Sequence, residues 1–225
     1  MNNFLELKNI HKIFKTEKTI KVLKGLSQKF KKGKIYSLMG PSGSGKSTLL
    51  NIISLIDKPT SGSMKFDKFQ IDFKNNEKND IFRAAKIGII YQQNNLLADF
   101  TALENIYLAS LSLHNDKKLA ISKAKQLLKL VKLSNRSDHY PSQLSGGECQ
   151  RIAIARAIIN DPEVILADEP TGSLDMNTAK DVFKLLSSQK KSNRLIIFAT
   201  HNRFFAKKAD YLLEMTNGSV KTTNV

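Results

Sequence analysis

The sequence predicts an α/β fold, a largely parallel sheet with helices on its faces, interrupted by an all-helical insertion. Three observations predict it. An apolar run, Ile35 to Met39, passes directly into a glycine-rich turn and then into a helical stretch, Ser47 to Ile56. From Leu96 to Asn160 the pattern changes from short strands to helical periodicity. Strand signals resume at Glu163 to Ala167 and at Asn193 to Thr200, separated by a helix over Met176 to Gln189.

Taken in order, Phe4 to Ile10 alternates Phe4, Glu6 and Lys8 with Leu5, Leu7 and Asn9, and Thr19 to Phe30 closes at the turn Lys31 to Lys34, so both read as strands. After the loop helix, Lys58 to Gly62 is a breaker cluster, Met64 to Phe73 alternates, and Lys74 to Asp80 is a polar loop. Ile81 to Ala85 fits a short helix, and Lys86 to Tyr91 reads as a buried strand that delivers Gln92. Within the insertion, helices are expected over Ala102 to Leu113, Lys117 to Leu133 and Glu148 to Ile159, with Ser134 to Ser142 as a polar break. Arg203 to Ala209 makes a last short helix, and Asn217-Gly218 marks a tight hairpin.

Composition narrows the class. A chain of 225 residues with 41% apolar content can bury a substantial core as one large domain or two small ones. No apolar run approaches the roughly 18 residues of a membrane span, and Met1 to Ile13 lacks a signal-peptide core, so the expected location is the cytoplasm. Cys149 is the sole cysteine, which excludes an internal disulfide. The net charge of +16 suits nucleic acid or an anionic membrane surface. The basic residues are mostly lysines without aromatic interleaving or a nucleic-acid-binding motif, so a solvated lysine surface is expected and no nucleic-acid partner.

The glycine-rich turn carries the first chemistry. Gly40, Gly45, Lys46 and Ser47 fill the fixed positions of G-x-x-x-x-G-K-[ST], with Pro41, Ser42, Gly43 and Ser44 between them and Thr48 following. Glycines let backbone N–H groups turn inward around a phosphate, and the helix N-terminus adds roughly half a positive charge. Lys46 supplies a full charge, worth on the order of 4 kcal/mol at about 4 Å and an effective dielectric near 20, before desolvation. Ser47 would place its hydroxyl on magnesium.

Two further motifs restrict the reaction. Val164 to Ala167 is an apolar strand ending in Asp168 and Glu169, which delivers two carboxylates to the C-terminal edge of the sheet. Asp168 would hold magnesium, and Glu169 is placed to take a proton from an attacking water. Leu144, Ser145, Gly146, Gly147 and Glu148 form a second serine/glycine turn that opens a helix, and so a second anion-binding terminus.

With these motifs in this order, followed by Ser173-Leu174-Asp175 and His201, the sequence resembles the nucleotide-binding domain of ATP-binding cassette (ABC) proteins over nearly its whole length. The resemblance implies a P-loop NTPase core of RecA-like type, with an antiparallel β subdomain and an inserted helical subdomain. It implies a single domain over 1–225, with 1–91 and 161–225 as catalytic core and 92–160 as the helical signature subdomain. It implies ATP and Mg2+ as ligands. Gln92 would contact magnesium and the attacking water, and His201 would reach the γ-phosphate. Ser145 to Gly147 would contact the γ-phosphate held by the opposite subunit, so that two copies close head to tail around two ATP molecules. Asp175 would couple the two sites across that interface, unless it serves only as a helix N-cap. Phe14 matches the aromatic that stacks on adenine, with a strand-edge or core role as the alternative. Asn202 departs from the aspartate usual after the histidine.

The stretches Ile90 to Asn105 and Leu166 to Asp175 resemble, within that family, the lipoprotein-releasing ATPases and their macrolide-exporter relatives. This implies an integral membrane permease as partner at the cytoplasmic face of the inner membrane. The alternatives are other ABC transporter ATPases, for amino acids, drugs or cell division, and, further off, a soluble ABC ATPase associated with nucleic acid.

Overall fold

In the computed structural model, which describes residues 3–15, 17 and 19–224, the chain divides into two compact units. One comprises residues 1–83 and 190–225, the other 84–189. This division groups the strand ending in Asp168 and the helix after it with the helical segments. The boundaries expected from secondary-structure content fall instead near 92 and 160.

In the first unit, β1 (Leu5–Lys15) pairs antiparallel with β2 (Thr19–Phe30) from Leu5 opposite Phe30 to Lys15 opposite Thr19. Its other edge takes β4 (Ser61–Phe66), and the two-residue β5 (Phe69–Gln70) completes the antiparallel sheet β2-β1-β4-β5. The alternation read in β1 buries Leu5 and Leu7, a register shift at Asn9 (φ 52°) changes its phase so that Ile10 is buried instead, and Phe4 meets Phe66 edge-on at 4.8 Å. The strand runs five residues beyond the alternating stretch, because pairing with β2 continues where the sequence pattern stops.

The second sheet of this unit centres on β3 (Ile35–Met39), flanked in parallel by β8 (Leu195–Ala199) and β9 (Tyr211–Thr216), with β10 (Ser219–Asn224) returning after Asn217-Gly218. Strands β3 and β8 read as apolar runs because both faces are covered, by α1 (Lys46–Ile53), α7 (Arg203–Ala206) and their surroundings. Asp210 pins the entry to β3: its carboxylate accepts the Ile35 N–H at 2.7 Å and the Lys190 ammonium at 2.9 Å. Burial works against the charge, but these donors hold the carboxyl below the usual aspartate range. Tyr36 stacks on Tyr211 at 4.8 Å, and burial pushes its phenol up to about 12.

The expected polar loop Lys74 to Asp80 is instead the first half of α2 (Asn76–Lys86). Asn75 caps it by accepting the Lys78 N–H at 3.1 Å, and buried Asn79 donates back to the Asp72 carbonyl at 2.9 Å. Asparagines that disfavour a helix interior start one when they take cap positions.

In the second unit, β6 (Ile87–Ile90) and β7 (Val164–Asp168) pair in parallel. Its helices are α3 (Ala102–Leu111), α4 (Lys117–Leu130), α5 (Gly146–Ile158) and α6 (Met176–Ser188). Ile106, Ala124, Leu128, Ile152 and Ala155 meet in the core between α3, α4 and α5. Side-chain caps start each helix: Thr101 with Glu104, Asp116, Ser145 with Glu148, and Asp175. Among the described residues, no helix is long and apolar enough to cross a membrane.

Candidate nucleotide and catalytic site

In the first unit, parallel register brings two candidate residues to one sheet edge. Leu38 lies opposite Ala199 in the β3/β8 pair, and the Thr200 N–H donates to the Leu38 carbonyl at 3.1 Å. Two residues further along each strand lie Gly40 and His201. With Pro41, Arg203, Lys207 and Glu214 they line a cavity of about 400 Å3.

The loop from Gly40 to Thr48 closes on itself. The Lys46 ammonium donates to the carbonyls of Gly40 at 2.8 Å and Pro41 at 3.1 Å, so the charge is held across the mouth of the loop. Gly45 takes φ of 102°, in the region that favours glycine, as the N-cap of α1. No side chain caps that helix, so its first amides point at a ligand position without competition. Ser44 is 7% exposed, and its Oγ is buried without a hydrogen-bond partner. A buried hydroxyl, an ammonium and helix N-terminal amides together fit phosphate oxygens. Pro41, Ser42, Gly43 and Ser47 are exposed, whereas Thr48 is half-buried.

Phe14 lies on β1, 40% exposed, with Lys12 Nζ 4.8 Å from its ring centroid. That lysine is itself fixed by Asp57 at 2.6 Å and the Lys58 carbonyl at 2.8 Å. His201 is exposed after buried Thr200. Asn202, the departure from the family's aspartate, accepts the Phe204 N–H at 2.9 Å as the N-cap of α7. An amide oxygen suffices for that task.

The second unit repeats the arrangement. Ile90 lies opposite Ala167 in the β6/β7 pair, and two residues beyond each come Gln92 and Glu169. Glu169 has φ of 46°, an uncommon value for a non-glycine residue, and its carbonyl accepts the Gly172 N–H at 3.0 Å. A Cβ added to Gly172 would stand 3.2 Å from Gln92 Nε2 and 3.4 Å from Glu169 Cβ, so the amide and the acid flank one tight turn. Asp168, the last residue of β7, is half-buried. Within the second unit, Gln92 and Asp168 carry side-chain oxygens, the donor type that Mg2+ takes.

Ser145 accepts the Glu148 N–H at 3.2 Å, while the Glu148 carboxylate accepts the Ser145 N–H at 2.8 Å and the Arg136 Nε–H at 3.1 Å. Those donors, led by the Ser145 backbone, hold the Glu148 carboxyl below its usual range. The Ser145 hydroxyl also hydrogen-bonds the Glu148 carboxylate, so the box engages both its lone pair and its proton. Leu144 packs on the helical core, Gly146 is exposed, and a Cβ on Gly147 would collide with Thr178 Cγ2. Asp175 is fully exposed and caps α6, accepting from Asn177 and Thr178; its hydrogen bonds to Thr178 hold its carboxyl low.

Sequence reasoning missed four residues around Gln92. Gln150 is buried and donates to the Tyr91 carbonyl at 3.2 Å. Arg156 donates to the Asn94 carbonyl at 2.6 Å and the Asn95 carbonyl at 2.7 Å, and burial holds its guanidinium below the usual range. Asn105 is 1% exposed; it accepts the Leu97 N–H at 2.7 Å and its amide donates to the carbonyls of Leu97, Phe100 and Thr101. Gly172 is the fourth. The available signal was polar residues, Gln150 and Arg156, bounding the fully buried run Ile152 to Ala155.

The ABC transporter family model matches residues 23–172. A Rickettsia prowazekii protein, the lipoprotein-releasing system ATP-binding protein LolD, is 45% identical over 97% of this chain and 98% of its own length. The LolD of Ehrlichia canis is 43% identical over 96% and 97%. The dimeric structure of a post-hydrolysis state of the ATP-binding cassette MJ0796 bound to ADP and Pi superposes with a TM-score of 0.90 at 36% identity, covering 98% of both chains.

Proposed function

The chain belongs to the ABC transporter family as its ATP-binding, ATP-hydrolysing subunit, and from that premise we propose that it powers lipoprotein release by a separate membrane permease. The observation that carries the hydrolytic reading is that the Gln92 amide and Glu169 Cβ both lie within 3.4 Å of the Cβ position of Gly172, at the same edge of a parallel strand pair. An amide and a carboxylate so placed can orient a water and remove its proton.

In this reading Lys46, the Ser44 hydroxyl and the first amides of α1 bind the β- and γ-phosphates of ATP, and Phe14 takes the adenine on its exposed surface. Ser47, Asp168 and Gln92 hold Mg2+, which when bound neutralises charge on the phosphate oxygens. Glu169 accepts the proton of the attacking water, and His201 bears on the γ-phosphate from beside Gly40. Ser145, Gly146 and Gly147 contact the γ-phosphate held by a second copy of this chain, and Asp175 lies at that interface. The dimeric MJ0796 cassette with ADP and Pi supports such an assembly.

Lipoprotein as cargo is supported by the LolD relatives, which match over nearly the full chain. Leu97 and Phe100 are exposed on the loop whose backbone Asn105 fixes, an apolar surface suited to a permease. The subunit then sits peripherally on the cytoplasmic face of the inner membrane, where the +16 charge meets anionic lipid. Glu169→Gln tests the core of this reading. Hydrolysis should fall by about 10²- to 10⁴-fold with ATP binding retained; near-normal turnover would exclude Glu169 as the base.

A further inference from the structure

We propose that Arg156 is a positioning residue for Gln92: its guanidinium, together with the Gln150 amide, clamps the backbone on both sides of Gln92 to the signature helix α5. This rests on Gln92 acting at the metal and the attacking water. The segment leaves β6 at Ile90, and α5 holds it first at the Tyr91 carbonyl through Gln150 and then at the Asn94 and Asn95 carbonyls through Arg156. Gln92 and Gln93 are the two residues between the clamps. They are exposed, whereas Gln150 is buried.

The chemistry selects arginine. Consecutive carbonyls of an extended chain point to opposite sides. A φ of 47° at Asn95, a conformation asparagine enters at low cost, bends the segment so that both carbonyls face one planar fork. Two donors of fixed spacing then fix position and direction together, which a single ammonium cannot do. Charge-assisted hydrogen bonds to carbonyls are also stronger than neutral ones. The same helix begins at Ser145, so a displacement of the signature turn along α5 is delivered to the base of the Gln92 side chain. Asn105 continues the pattern on the far side of the loop, from α3.

A double-mutant cycle on the full chain separates positioning from general packing. In the Gln92 background, Arg156→Lys should lower kcat about tenfold while ATP affinity stays within about twofold. In the Gln92→Ala background the same substitution should change kcat by less than about twofold, because nothing remains to be positioned. An equal fall in both backgrounds, a loss of ATP affinity, or no effect in either overturns the proposal. Should Arg156→Lys not fold, as judged by its thermal melt, Gln150→Met releases the other clamp and must show the same dependence on Gln92. If Gln92→Ala alone leaves turnover unchanged, it is the assignment of Gln92 that fails, whereas an additive cycle removes only the clamp.

Discussion

The phosphate loop of the first unit and the Gln92 segment of the second are built on the same strand geometry and secured by different means. In one, β3 and β8 carry Gly40 and His201 past a shared register; in the other, β6 and β7 carry Gln92 and Glu169. The phosphate loop then holds itself, through Lys46 on its own carbonyls and the turn into α1. The Gln92 segment is held by side chains from elsewhere, Gln150 and Arg156 on α5 and Asn105 on α3. A self-closed loop presents a fixed charge to the ligand. A segment tied to another helix goes where that helix goes.

This difference is open to attack by substitution, beginning where the expected effect is largest. Lys46→Ala should weaken nucleotide binding by about 10²- to 10³-fold, the equivalent of roughly 3–4 kcal/mol, because a full charge is lost at the phosphates. Its partners are loop carbonyls with access to solvent, so the melting temperature should move by no more than a few degrees. Unaltered affinity in a binding titration would show that the loop does not hold phosphate through this lysine.

Asn105→Leu should behave in the opposite way. It leaves the Leu97 N–H and the Phe100 carbonyl without their buried partner, whereas the Leu97 and Thr101 carbonyls keep backbone donors, at a cost of about 2–3 kcal/mol in folding stability. Nucleotide affinity should hold. Chemical denaturation of the full chain reads the first quantity, and a loss below about 0.5 kcal/mol would mean that the loop is not secured from α3.

Glu148→Gln is the smallest and the most pH-dependent. Glutamine keeps the reciprocal cap on α5 but removes the charge at the helix N-terminus, a loss of about 0.5–1 kcal/mol at neutral pH. The folded carboxyl lies below its usual value of 4.5, so the unfolded chain binds more protons in the acid range. The stability gained is complete above about that pH and disappears as pH falls through the lowered folded value. Melting curves of the parent and the variant should therefore converge below pH 4.5, and a constant gap would contradict the ionised cap.

Local chemistry explains why so much was legible beforehand. The phosphate loop, the Asp168-Glu169 strand end, the signature turn and Asn217-Gly218 are short stretches in which backbone conformation follows from neighbouring residues. α2 was misjudged for the same reason in reverse: Lys74 to Asp80 is polar and asparagine-rich, and only the caps made by Asn75 and the inward turn of Asn79 show it to be helical. Glu104 and Asn105, part of a stretch that resembles the lipoprotein-releasing ATPases, turn out to cap α3 and to fix the loop, leaving Leu97 and Phe100 as the exposed apolar positions.

The sequence by itself determined the family, the phosphate-loop motif and the acids at the end of β7, because each is written in a contiguous pattern whose chemistry is local. Tertiary structure alone decided which distant side chains govern Gln92. Arg156 and Gln150 look in sequence like polar interruptions of a buried helix. Their function arises from carbonyls some 60 residues away, and a hydrogen bond between a side chain and a backbone carbonyl leaves no trace in the identity of the residue that accepts it.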